Sequence, residues 1–486
     1  MHQPRAPRPR LRRVEPASRP ADGQPPPQPP PPGRAGRSRR SARTVTGSPL
    51  DLAGIGIGPF NLSLAAQADA VGDLDARFFE REPAFDWHPG MMLPGVSLQT
   101  SFLKDLVTAT NPTSPWSFMA YLVAQKRFYE FLNADFAEVP RREFARYLAW
   151  VAARLPSLRI GTAVREVTFA EDSFVLACDG PRAGGPVRAR NLALGVGLRP
   201  AVPDFAAKLP EPQWFHASKA AFALDRTAGR RVAVVGGGQS GAEIVLDLLG
   251  RGRDAPARVD WISRRPNFLP LDATPFTNEV FTPHYVERFR DLPEPRRRAI
   301  VARQKLAGDG ISAETLRALY RRLYALRHLE PEGPAVGLLP HRDVRDADAT
   351  GGVPRLVMRN GFDGGIEVLR TEVVILATGY RYALPDCLAP IRHRLALDAD
   401  GRPQPSADFA IRWDGPDHCR IFALNAGLTS HGIAEPQLSL MAWRSAVIVN
   451  ALAGRPCFDL AQGPSPVAWS GPPERAWRVD ASCAEE

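Results

Sequence analysis

The chain has 486 residues, of which 44% are hydrophobic and 23% charged, an ordinary composition for a folded protein with room for two or three domains. Its formal charge of +10 does not mark a nucleic-acid binder, because residues 1–49 alone hold eleven Arg against Glu15 and Asp22 and the remainder is nearly neutral. The five cysteines (Cys178, Cys387, Cys419, Cys457 and Cys483) form no CxxC, so neither a metal site nor a redox pair is read, and the usage suits a reducing cytoplasm.

The leader, residues 1–49, holds thirteen prolines, including the run Pro25–Pro32 broken only by Gln28. Such a stretch has too little apolar surface to form a core. It lacks the apolar h-region of a secretory signal. We read it as a solvated tail rather than an RNA-binding arm, or as an extension upstream of a frame that begins near Val45. No later stretch reaches the roughly 18 apolar residues of a membrane span.

Folded sequence begins with DLAGIGIGPFN, Asp51 to Asn61. A short apolar run into Gly54, Gly56 and Gly58 predicts a buried strand turning into a helix near Pro59, the opening of a dinucleotide-binding βαβ unit. Glycines let backbone amides approach a pyrophosphate, which the helix N-terminus then favours electrostatically. Read as Gly54, Gly56 and a third position at Pro59, the fingerprint tolerates proline because the first helical turn has N–H groups to spare. Glu80, in ARFFERE, is placed to accept a bond from a ribose hydroxyl.

Residues 83–122 show little periodicity while gathering Trp87, His88, Gln99, Lys104 and Asp105 among Gly and Pro, the mark of a functional irregular segment. Apolar spacing predicts helix over 128–155, and residues 158–200 read as strands, the last of them, ARNLALGVG, returning to the nucleotide sheet. A second and fuller fingerprint follows in RRVAVVGGGQSGAEIVLDLLG, with Gly236, Gly238 and Gly241 at its three glycine positions. The next strand ends in Ser263, Arg264 and Arg265, cations where an NAD unit would present an acid, which suits the 2′-phosphate of NADP. Helices are predicted over 285–330 and strands over 335–375, with EVVILATGY resuming the first sheet.

The fold expected is therefore α/β, with two Rossmann-like dinucleotide-binding domains. An FAD domain (50–200, completed by 356–460) receives an inserted NADPH domain with a helical substrate-side segment (201–355), and 461–486 form a tail. Two nucleotide sites in one chain imply a hydride relay. A disulfide reductase would need a cysteine pair beside the flavin, and neither fingerprint has one. A flavin monooxygenase needs no protein nucleophile, because the oxidant is a flavin C4a-hydroperoxide; it needs a dry pocket and a clamp on the substrate.

The stretch FDWHPGMMLPGVSLQTSFLKDLVTATNPTSPWSFMAYL, together with GIGPFNLSLA, VVGGGQSGAEI, FTNEVFTP, LATGY and HGIAEPQLSLMAWRSA, resembles the lysine/ornithine N-monooxygenase family of siderophore biosynthesis over about residues 51–460. Within that family it is most similar to the aerobactin-type lysine N6-hydroxylases and the alcaligin biosynthesis enzymes. The resemblance implies hydroxylation of the terminal amine of lysine or of a diamine such as putrescine or cadaverine, with FAD, NADPH and dioxygen. It puts Gly54, Gly56, Gly58, Pro59 and Glu80 on FAD, with Trp87, His88 and Gln99 near the flavin. It puts Gly236, Gly238, Gln239, Ser240 and Gly241 on the NADPH pyrophosphate and Arg264 near the 2′-phosphate. Lys104 matches the lysine that pairs with an amino-acid carboxylate, Asn278 an asparagine of the substrate clamp, and His216 with Ser218 a linker segment. Where ornithine-acting members carry TNY, this chain has LAGDGIS with Gly308 or Asp309; where they carry an SDxLLS-like loop it has AEPQLS. Both departures weaken ornithine as substrate. The expected partners are a small amine and dioxygen, with self-association left open and no nucleic acid; the alternatives are a flavin monooxygenase of sulfur or ketones and an RNA-binding role for the leader.

Overall fold

The computed structural model describes residues 48–470 apart from 182–184 and 331, so the leader up to residue 47 and the end of the tail lie outside the described residues. The first sheet starts with β1 (Leu50–Ile55), continues after helix α1 (Pro59–Val71) with β2 (Ala76–Glu80), and after helix α2 (Arg141–Ala152) with β3 (Leu158–Ile160). An antiparallel pair, β4 (Ala163–Ala170) and β5 (Ser173–Asp179), precedes β6 (Val187–Leu194). β6 returns beside β1 in parallel register, Ile55 against Leu194, as ARNLALGVG predicts.

The chain crosses to the second sheet through β7 (Arg199–Pro200) and enters β8 (Trp214–His216) and β9 (Arg231–Val235). Helix α3 (Gln239–Leu249) leads to β10 (Arg258–Ile262). A run of helices includes the short α4 (Pro275–Asn278) and α5 (Pro283–Arg290) and the longer α6 (Ala313–His328). β11 (Ala335–Leu339) is followed by a three-stranded antiparallel sheet of β12 (Arg342–Asp348), β13 (Arg355–Asn360) and β14 (Ile366–Arg370), then by β15 (Val373–Leu376). β16 (Tyr380–Arg381) carries the chain back, and β17 (Ala410–Ile411), β18 (Ile421–Ala423) and helix α7 (Met441–Ala453) complete the first unit.

Strand orders follow the doubly wound pattern. In the first sheet the parallel run is β18-β6-β1-β2-β3, and in the second it is β11-β10-β9-β15-β8, so β1 and β9 each stand where the winding reverses. Ligands of such sheets bind beyond the carboxyl ends of the strands at that reversal, which is where both glycine runs lie.

One expectation needs correction. EVVILATGY does not resume the first sheet: β15 pairs with β9 and β8, Ile375 opposite Val234 and Phe215. An all-apolar run is equally at home in either parallel sheet, so its composition could not choose. The inserted domain thus extends to about Gly379 rather than ending at 355, and the completion begins after β16 rather than at 356. The crossing strands run side by side, Tyr380 opposite Pro200, with Ala201 N–H donating to the Gly379 carbonyl at 2.9 Å.

The helical segment packs across the domain boundary. Val280, Phe281, Tyr285, Val286 and Phe289 bury their side chains in the first domain's core with Leu62, Phe78 and Met441. In return Met91, Leu93 and Val96, from the irregular segment of the first domain, bury in the second core with Phe215, Val232 and Val245. Each such side chain contributes about 1.5–3 kcal/mol by its burial, so the exchange fastens the two domains together.

Candidate active site

At the first cradle β1 ends at Ile55 and Gly56 turns with φ 83°, a left-handed angle that glycine adopts without strain. A Cβ there would meet the Gly195 carbonyl oxygen at 2.7 Å. Gly58 is the N-cap of α1, with Pro59 at N1. No side chain caps this helix and no acid stands in its first turn, so its leading N–H groups remain available to an anion.

The reading frame of the fingerprint shifts accordingly. Gly54 lies inside β1, where a Cβ would overlap the buried Phe78 ring, so its role is close packing and not approach to a phosphate. The frame is Gly56, Gly58 and, in the third position, Asn61 rather than Pro59. Asn61 is fully buried, and its Nδ2 donates to the carbonyls of Gly56 (2.8 Å), Ile55 (3.2 Å) and Ala193 (3.3 Å). Sequence reasoning missed it, although its spacing of three from Gly58 carried the signal. Glu80 ends β2 and braces the glycine loop, its Oε2 accepting the Ile57 N–H at 2.8 Å while its Oε1 accepts the Glu82 N–H at 3.0 Å.

The second cradle is tighter. Gly236 has φ 137°, and a Cβ there would overlap the Ala377 carbonyl; at Gly241 it would overlap the Gly236 carbonyl. Gly238 is the N-cap of α3, again with no side-chain cap and no acid in the first turn. Trp261, stacked on Phe268 with centroids 3.7 Å apart, donates its Nε1–H to the Gly236 carbonyl. Ser240 lies half-buried in the helix's first turn.

The Gln239 side chain points away from the expected pyrophosphate. Its Nε2 donates to Glu243 Oε1 and Thr315 Oγ1, both at 3.0 Å, and its Oε1 accepts from Ser312 N and Gln99 Nε2. Only its backbone N–H stays at the helix end. The two adjacent arginines separate in role: Arg265 pairs with Asp309 at 2.8 Å and donates to the Gly237 carbonyl, whereas Arg264 is exposed and has no ion pair among the described residues. Asp309, aligned with a substrate asparagine of ornithine-acting members, is thus committed to Arg265 and Lys305.

Between the cradles lies the irregular segment. Trp87 packs edge-on to Phe144 at 5.8 Å and beside His88 at 5.1 Å, and His88 holds a left-handed φ of 50° at the start of a short turn. Gln99 links to Gln239 and to the Gly310 carbonyl, both at 3.3 Å, spanning the two domains. Lys104 is half-buried, its Nζ 5.8 Å from the Phe281 ring, with no ion pair among the described residues; burial pushes its pKa below the usual lysine value. Asn278 ends α4 three residues before Phe281 and is exposed, and no contact joins it to Lys104 among the described residues. The AEPQLS loop is held from below by buried Glu435, which accepts the Asn425 and Gly427 N–H groups and faces buried Arg444, while Gln437 reaches the Gly308 carbonyl at 3.4 Å.

His216 takes a structural place. Its Nε2 faces the Gly379 carbonyl at 3.0 Å, so that nitrogen carries the proton, and Nδ1 accepts the Ser218 N–H at 3.1 Å. It is buried at the crossing strands, and burial pushes its pKa below the ordinary histidine range.

Comparison with known proteins agrees with this geometry. Residues 48–382 match the model of the L-lysine 6-monooxygenase/L-ornithine 5-monooxygenase family. The chain is 40% identical over 420 residues to the L-lysine N6-monooxygenase of Escherichia coli, covering 86% of this chain and 98% of that enzyme. It superposes with TM-score 0.82 and 30% identity on the FAD-bound cadaverine monooxygenase of desferrioxamine biosynthesis from Erwinia amylovora, covering 88% of this chain and all of that one. On the Kutzneria ornithine N-hydroxylase, solved with reduced FAD, NADP+ and L-ornithine, the TM-score is 0.76 at 30% identity, covering 84% and 99%. The two uncapped helix ends, each behind a positive-φ glycine whose Cβ would collide with a carbonyl, fit two dinucleotides. The chain belongs to the L-lysine 6-monooxygenase/L-ornithine 5-monooxygenase family.

Proposed function

We propose that this enzyme is an FAD- and NADPH-dependent N-monooxygenase that hydroxylates the terminal primary amine of lysine, or of an aliphatic diamine of the putrescine and cadaverine type, in the assembly of a hydroxamate siderophore. FAD, reduced by NADPH, supplies activation of dioxygen for transfer to nitrogen. The first cradle, with Gly56, Gly58 and Glu80, holds FAD; the second, with Gly236, Gly238, Ser240 and Gly241, holds the NADPH pyrophosphate, and Arg264 takes the 2′-phosphate.

The observation that carries the amino-acid reading is Lys104, a half-buried cation without an ion pair among the described residues, beside the turn that bears Asn278. A cation in such a place gains most from a carboxylate brought by the substrate. Asn278 adds a hydrogen-bonding amide to hold the substrate. Trp87, packed on Phe144, belongs to the apolar wall that keeps water from the reacting nitrogen. A free alkylamine, with pKa about 10.4, is almost wholly protonated at neutral pH, so binding must favour its neutral form. The likeness to a cadaverine monooxygenase supports the diamine reading, in which Lys104 has no carboxylate to meet.

The test is incubation with NADPH, FAD and oxygen against lysine, ornithine, putrescine and cadaverine, scoring hydroxylamine. Product is expected from lysine or a diamine, and peroxide release with no hydroxylated amine overturns the proposal. Lys104→Ala should raise KM for lysine about tenfold, the worth of one charge-assisted contact, and leave putrescine nearly unchanged. Equal losses on both substrates refute the carboxylate role.

A further inference from the structure

Arg141 begins α2, which is anchored in the first core by Phe144, Tyr147, Leu148 and Val151. Its guanidinium leaves that domain. Nη2 meets Glu243 Oε1 at 2.7 Å and Nη1 meets Glu243 Oε2 at 3.1 Å, a two-pronged pair with α3 of the second domain in which the Glu243 side chain is 4% exposed. The same guanidinium donates to the carbonyls of Met91 (3.0 Å) and Ser97 (3.4 Å), at either end of the segment that plugs the second core.

Glu243 stands one turn inside α3 from Gln239, whose amide it accepts at 3.0 Å. The position is awkward for a helix whose uncapped end is to receive phosphates. A buried carboxylate so near that end opposes any anion arriving there, because negative charge is screened little away from water. Arg141 cancels it with a cation from the neighbouring domain.

We propose that Arg141 and Glu243 are a positioning pair, joining the domains so that the N-terminal end of α3 is both fixed in place and neutralised for the phosphates of NADPH. The inference rests on the second cradle being the NADPH site. Through Gln239 and Gln99 the pair is tied to the flavin-side segment carrying Trp87 and His88, so the nicotinamide cofactor is docked against the first domain and not merely against its own. A pair that only fastened the domains would respond differently to loss of one charge and loss of both.

The experiment is calorimetric titration of NADP+ into the FAD-loaded enzyme, with thermal midpoints recorded alongside. R141Q, which leaves the Glu243 charge uncompensated, should bind about tenfold more weakly, and R141Q/E243Q should recover to within about threefold of the native enzyme. E243Q, which leaves a cation facing the helix end, should bind equally or up to about threefold more tightly even if its midpoint falls. E243Q keeps the test decisive should R141Q not fold, because weaker binding by E243Q overturns the proposal. So does a double variant as weak as R141Q, or R141Q binding as the native enzyme does. A native enzyme that takes up no NADP+ at all defeats the reading of the second cradle instead.

Discussion

The two glycine cradles share a plan and differ in what braces them. The first is self-contained: Asn61 fills its third position with an amide bonded to three carbonyls of β1, its turn and β6, and Glu80 holds the Ile57 N–H from β2. The second closes glycine against carbonyl at Gly241 and draws its support from outside, through Arg265 to the 309 turn, Trp261 from β10, and Gln239 and Glu243 to the other domain. A cofactor held through turnover suits the first arrangement. One that must arrive and depart suits a cradle whose shape depends on how the domains meet.

That contrast breaks most sharply if each cradle is blocked alone. Gly56→Val should cost at least about a hundredfold in flavin affinity, from left-handed strain plus collision with the Gly195 carbonyl, and yield colourless protein. Gly236→Val should stay yellow and be bleached by dithionite but not by NADPH; absorbance spectra decide, and loss of both cofactors in either variant would deny the cradles their independence. Exchanging the third positions sharpens the comparison. Asn61→Ala takes a donor from three carbonyls, of which that of Ile55 keeps the Gly195 N–H, and should cost about 1–3 kcal/mol, read from the urea midpoint, whereas Gly241→Asn should fold and fail to bind NADP+ because its side chain displaces the Gly236 carbonyl. The smallest effect is expected at the surface: Arg264→Ala should raise KM for NADPH about tenfold and leave KM for NADH nearly unchanged, and a parallel rise in both would remove Arg264 from the 2′-phosphate.

Much of this was legible in the residues. Strand, glycine turn and helix are written locally, so both βαβ openings and the return of β6 could be read from spacing alone. Partner choice was not. VVIL at 373–376 has no mark that prefers one parallel sheet to the other, and the reach of α5 into the first core depends on tertiary packing that periodicity does not encode. Asn61 was overlooked because the frame was counted from a glycine that belongs to the strand. Arg141 and Glu243, 102 positions apart, carry no mark in the sequence that pairs them.

The reciprocal plugs bear on how this scaffold can be recombined. A cassette cut at the crossing strands, 201–379, would travel with Phe281 and Phe289 projecting from it and leave Met91, Leu93 and Val96 stranded on the recipient. Transplanting the reductant-binding half between relatives therefore demands that the 89–97 stretch migrate with it and the 280–289 stretch stay behind. Natural shuffling across the family faces the same constraint, so new reductant preferences should arise by point changes near Arg264 more readily than by wholesale module exchange.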